Sequence, residues 1–248
     1  KRIDGFLILF ICVIISIITS YELVTKPIQN FHFIIPVTIN FLEILICTGV
    51  LVYISKKEDP TINSRQIFLL IGLLLITQIL KINFKTISPL SIIVPPTLII
   101  SQGISKITAL SWVSIALINW PNSENGMNEY LLLITFISSC IVAILGEKIR
   151  SRAQLLQVSI FVPIGAFIGQ YLLLGINNND LYNFNIQNLI SKHGNIISDS
   201  FLLATLILLA IIFMPILESI FGLVTKARLL ELADQEKPLL RRLSIEAP

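Results

Sequence analysis

Three carboxylates stand in or at the end of long apolar runs: Glu43, Glu147 and Glu218. Glu43 sits among Phe41, Leu42, Ile44 and Leu45, where a charge is costly unless it is protonated, paired or wet. Two readings stay open for it. It is a proton- or ligand-sensing group, or a bundle-facing structural acid bonded to Asn40, Thr38 or a neighbouring helix. Glu147, in the stretch Gly146-Glu147-Lys148, reads as an interfacial charge. Glu218 follows Pro215 by one helical turn and is placed to cap or kink the last apolar segment. Other chemistry has little to stand on. The two histidines, His32 and His193, are far apart and neither begins a His-Asp pair. Cys12, Cys47 and Cys140 all lie inside apolar runs without paired spacing, which reads as small buried hydrophobes rather than disulfides or metal ligands. No catalytic residue, metal site or cofactor is expected in this chain.

The elements that hold these residues are membrane helices. Hydrophobic residues make up 54% of the 248 and charged ones only 13%, against about a quarter charged in soluble domains. A spanning helix needs about 20 mainly apolar residues. Eight stretches meet or approach that length: 6–24, 33–54, 67–82, 90–101, 107–120, 130–145, 155–174 and 201–224. The fourth is short and holds Pro95-Pro96, which predicts a broken or re-entrant helix forming a hairpin with the fifth at Gln102-Gly103.

Loop charge sets the orientation. With Lys1-Arg2 inside, the inner loops carry Lys56, Lys57, Arg65, Lys106, Lys148, Arg150 and Arg152, and the basic tail follows. The outer loops hold Lys26, Lys81, Lys85 and Lys192 among Asn-rich stretches. This bias follows the positive-inside rule. The expected fold is an all-α integral membrane bundle of about eight spans, one N-terminal anchor plus seven, with both ends cytoplasmic. The opening run lacks a small-x-small cleavage site and reads as an uncleaved anchor.

Gly165-x-x-x-Gly169 permits close helix approach, either within the bundle or at a homodimer face. Gln157 and Gln170 on the same segment are candidates for bonds across the bundle. Phe31, Phe33, Tyr130 and Tyr182 read as an interfacial aromatic belt, which Trp112 and Trp120 fit in part. Past the last span, residues 226–232 predict a short amphipathic helix that stops before Pro238. Arg241-Arg242 is placed to touch anionic headgroups, for about 2 kcal/mol. The partner is the lipid bilayer, and no nucleic acid is expected.

The last segment carries a specific pattern. Pro215, Glu218-Ser219, Phe221-Gly222 and Thr225 lead into Leu229-Leu230-Glu231-Leu232, then Pro238-Leu239-Leu240-Arg241-Arg242-Leu243 and Glu246-Ala247-Pro248. This closely resembles the junction of the seven-transmembrane HD hydrolases, the PgpH-type cyclic-di-AMP phosphodiesterases. The resemblance implies an N-terminal span, an extracytoplasmic domain, seven spans and a cytosolic HD domain holding two metal ions. Here residues 25–32 are the whole gap between the first two spans. On the resemblance, the extracytoplasmic domain is absent, excised near 27–33 or naturally missing.

The expected organisation is therefore an anchor over 1–32, a seven-span bundle over 33–225 and a cytoplasmic coupling segment over 226–248 leading to the HD domain. The expected role is to anchor a bacterial inner-membrane phosphodiesterase and relay a signal from its extracytoplasmic domain. Candidate relay residues are Glu43, Pro215, Glu218, Gly222 and Glu231, and candidate packing residues Gly165 and Gly169. A transporter or channel bundle is the alternative, since a proline-broken helix and a mid-membrane acid suit a translocation path. A purely structural anchor is a further one.

Overall fold

Long apolar runs separated by short polar connectors leave the backbone one way to satisfy itself in lipid, which is to coil. The computed structural model describes residues 13–14, 34–60, 62–83, 87–120, 129–178, 186–225 and 227–229. Among them the chain forms α1 (Ile34–Glu58), α2 (Ser64–Asn83), α3 (Pro89–Gly103), α4 (Lys106–Ile118), α5 (Glu129–Lys148), α6 (Arg152–Asn178) and α7 (Ile186–Phe221). The expected anchor span lies outside the described residues except for 13 and 14, as do Glu231 and the tail beyond 229.

Helix ends follow local chemistry. Pro89 opens α3, where its missing N–H is no loss. Ser105 caps α4, its hydroxyl accepting the Thr108 amide at 3.1 Å. Among the described residues, four helices are long and apolar enough to cross a membrane, through Ser64–Lys81, Leu131–Lys148, Arg152–Leu172 and Ile196–Phe221, while α3 and α4 are shorter and equally apolar. Large apolar side chains stand exposed along the outer faces, among them Leu42, Ile46, Ile137, Phe161, Phe201 and Ile212. In water such a surface would aggregate; against lipid tails it is the ordinary exterior.

The middle of the bundle is α3, packed against α2, α4, α5 and α7. Of its 15 residues, 13 are buried. On one side Ile92, Ile93 and Ile100 meet Leu51, Leu70, Leu74 and Trp112. On another Leu90, Val94 and Leu98 meet Val142, Val158 and Leu203. At 1.5 Å per residue α3 is about 22 Å long, shorter than the roughly 30 Å hydrocarbon core. The sequence predicts a broken or re-entrant helix at Pro95-Pro96; the structure keeps α3 helical through both prolines, so the helix is not broken there, while its shortness is that of a re-entrant segment. Protein surrounds it on nearly every side, so the carbonyls the prolines release do not face lipid. The expected hairpin is present, with Ile104 and Ser105 as the turn between α3 and α4.

Three other expectations change. Trp112 and Trp120 are core residues and not part of a belt: Trp112 is fully buried, its indole donating to the Leu70 carbonyl at 3.0 Å, and Trp120 is 4% exposed. Lys81, expected in an outer loop, lies in the last turn of α2, buried, with its ammonium 5.1 Å from the Trp120 ring centroid. A cation over an indole face retains part of the interaction it loses with water. The last helix extends beyond the expected span of 201–224: it begins at Ile186, with the apolar window at Ile196–Phe221. Hydropathy finds only its lipid-embedded part, because Asn, Ser, Lys and His dominate the first turns while Ile186, Leu189 and Ile190 keep helical spacing.

Candidate functional site

The candidate site is the place where α7 ends. The helix runs unbroken through Pro215, whose side chain faces outward, and the chain turns at Gly222. Gly222 has φ of 64°, the left-handed conformation that closes helices and that glycine adopts without a Cβ penalty. Its carbonyl accepts from Nε2 of Gln66, in the first turn of α2, at 3.4 Å. The turn drives Leu223 inward until it is 1% exposed. Its two terminal methyls lie 3.1 Å from where a Cβ on Gly103 would stand, so the leucine rests on the bare backbone of the α3 end.

Thr225 then restarts a helical turn. Its carbonyl accepts the Leu229 amide at 3.0 Å and its hydroxyl the Arg228 amide at 3.4 Å. The same hydroxyl donates to Oε1 of Glu218, a division of labour one hydroxyl allows. The second carboxylate oxygen of Glu218 is 3.5 Å from Nη1 of Arg228. Glu218 is only 6% exposed, and these two contacts give the buried carboxylate partners. Arg228 is half exposed, so the ion pair itself contributes little and the Thr225 contact fixes the geometry.

The platform beneath the exit is tied down as well. Gln102 donates through Nε2 to the Gly146 carbonyl, and Lys106 pairs with Glu147 at 2.9 Å. Both contacts bind the α3–α4 turn to the end of α5. Gly146 has no room for a side chain, since a Cβ there would collide with the Ser101 hydroxyl. The same end of the bundle gathers the basic residues of the connectors: Lys56, Lys57, Arg65, Lys106, Lys148, Arg150 and Arg152.

Of the sequence-predicted relay residues, the structure brings Glu218 and Gly222 together, with Pro215 about a turn earlier in α7. Glu43 is elsewhere, exposed on α1 toward the opposite end of the bundle. Gly165 faces outward with no atom within 4 Å of where a Cβ would stand, and a Cβ on Gly169 would meet only Ile134, at 3.9 Å. Gln157 is exposed, while Gln170 is 1% exposed with neither end of its amide bonded among the described residues. The sequence pattern includes Thr225 and places Gly103 at the hairpin without giving either a role, and it does not single out Leu223, Arg228 or Gln66. Thr225 has a readable signal, a helix-capping residue just past a glycine stop; Gly103 has none.

The arrangement fixes the backbone direction at the end of α7. Among the described residues no three His, Cys, Asp or Glu side chains stand close enough to hold a metal ion. No chemical step is assigned to the described residues.

Fold and site together define a helical membrane protein whose last helix leaves through a braced turn. The family described as 7TM receptor with intracellular HD hydrolase matches residues 34–225, and the chain belongs to that family. The cyclic-di-AMP phosphodiesterase PgpH of Listeria monocytogenes serotype 1/2a (strain 10403S) is 24% identical over 206 residues. The match covers 79% of this chain and 28% of that relative, so the chain spans under a third of the relative's length. No solved structure matches.

Proposed function

We propose that this chain is the membrane region of a cyclic-di-AMP phosphodiesterase, and that it couples an extracytoplasmic signal to a cytosolic HD hydrolase through the turn at the end of α7. The observation that carries the reading is the bracing of that turn: Glu218, Thr225 and Arg228 fix the direction in which the chain leaves, and Leu223 seats it on α3. The hydrolase domain with its two metal ions, the extracytoplasmic domain and the bacterial cell membrane as location belong to the same proposal. Exchanging the bundle of the full-length protein for an unrelated bundle of equal span number tests it. Hydrolysis of cyclic-di-AMP is expected to persist while its response to the external signal is lost; a response that survives the exchange refutes relay.

The proposed orientation is eight spans with both ends cytoplasmic, supported by the basic connectors collected at the exit end. In a version lacking the native cysteines, cysteines introduced at Ser151 and Asn178 should label from opposite sides of the membrane. Ser151 lies between α5 and α6, and Asn178 ends α6. Labelling of both by an impermeant reagent added outside would refute this topology.

A further inference from the structure

The helix best placed to reach the exit is α3. It touches α7 at three levels. At the end away from the exit, the Ser91 hydroxyl donates to the Asp199 carbonyl at 3.3 Å. Midway, Ile99 packs with Ala210 and Met214. At the exit, Gly103 lies under Leu223. Between these points α3 has almost no free surface, and a close-packed helix passes on a displacement instead of absorbing it. Gln102 adds a second observation. Its Nε2 is used on Gly146, yet its buried Oε1 has no partner among the described residues. A buried acceptor left unmet is a cost that another arrangement of the same turn would relieve.

We infer that α3 acts as a rod between the far end of the bundle and the exit, with Gly103 and Leu223 as the positioning pair through which its movement reaches the hydrolase. This rests on the coupling reading above and names the element that drives the junction. It also assigns Gly103 a role: with no side chain, the α3 end can approach until Leu223 bears directly on its backbone.

The test is a size exchange across that contact in the full-length protein. Gly103→Val places methyls where the Leu223 methyls now stand, and Leu223→Ala empties the same space. Each alone should change the rate of cyclic-di-AMP hydrolysis by roughly two- to thirtyfold, the range seen for residues that couple sites without touching either ligand. The double variant should return most of the way toward the native rate, because the two volume changes offset one another. Gly103→Ala serves if the valine prevents folding, with thermal unfolding in detergent reporting integrity. Single variants that fold and leave the rate unchanged, or a double variant no closer to native than either single, overturn the rod. Glu218→Gln in parallel separates the two levels of the argument. If it alters the rate while the Gly103 and Leu223 variants do not, the braced junction stands and α3 is not its driver. If none of them alters the rate, the coupling reading falls and the rod with it.

Discussion

On the proposed function, four Gly-Ser residues inserted between Thr225 and Lys226 of the full-length protein are expected to lower cyclic-di-AMP hydrolysis about tenfold and to make it indifferent to changes in the bundle. A Gly-Ser tether behaves as a flexible coil and passes on neither orientation nor force. The native path is the opposite. Thr225 is simultaneously the cap of the outgoing turn and the partner of Glu218, so the direction of the chain at 225 is fixed by α7 itself. Glu218→Gln should act in the same direction and more weakly. The amide oxygen still accepts from Thr225, but the charge facing Arg228 is gone. Rates are to be measured in membranes, with protein level and insertion checked by immunoblot. An unchanged rate and an unchanged signal response after both edits would leave the bundle an anchor and nothing more.

The second large effect concerns Gly146. Replacing it with valine should destabilise the bundle by about 1–3 kcal/mol, the usual cost of forcing volume into a filled core. The new Cβ would collide with the Ser101 hydroxyl and stand 3.0 Å from the Ser101 Cβ, pushing α5 from α3. It would also disturb the bond from Gln102 to the Gly146 carbonyl. Thermal unfolding in detergent reads the loss. Gly146→Ala should cost less, and adding Ser101→Gly to it should recover most of that smaller cost, since the colliding atoms are then removed. A Gly146→Val protein that unfolds at the native temperature would show that the two helices do not meet there.

The residues that made the fold legible were those whose cost in the wrong solvent is high. Unbroken apolar runs mark helices in lipid whatever their neighbours, and the lysines and arginines of the connectors mark one side. Local chemistry also made part of the site readable. Gly222 after Phe221 is a helix stop, and Glu218 one turn after Pro215 is an acid too near the end of an apolar run to be incidental. What stayed hidden depends on contacts between distant segments. Nothing in the sequence pairs Gly103 with Leu223 or Gln66 with Gly222, because both pairings form only when the bundle closes. Pro95-Pro96 misled for the same reason. Proline breaks a helix against solvent or lipid, and α3 meets neither along most of its length. Trp112 and Lys81 were misplaced because tryptophan and lysine usually sit at the membrane interface, and here a carbonyl and an indole ring serve them inside.

The shortness of α3 and α4 bears on how such a chain is made. With 15 and 13 residues they reach about 20–22 Å, too little to cross roughly 30 Å of hydrocarbon unaided. A two-residue turn joins them, so one cannot enter without the other. During synthesis the pair has no stable resting place until α2 stands on one side and α5 and α7 on the other. Of the described helices α7 is made last, and with it the exit turn. Closure of the bundle around the hairpin and formation of the exit turn are thus one late event, and a chain arrested before Leu223 would hold a hairpin still waiting for its wall.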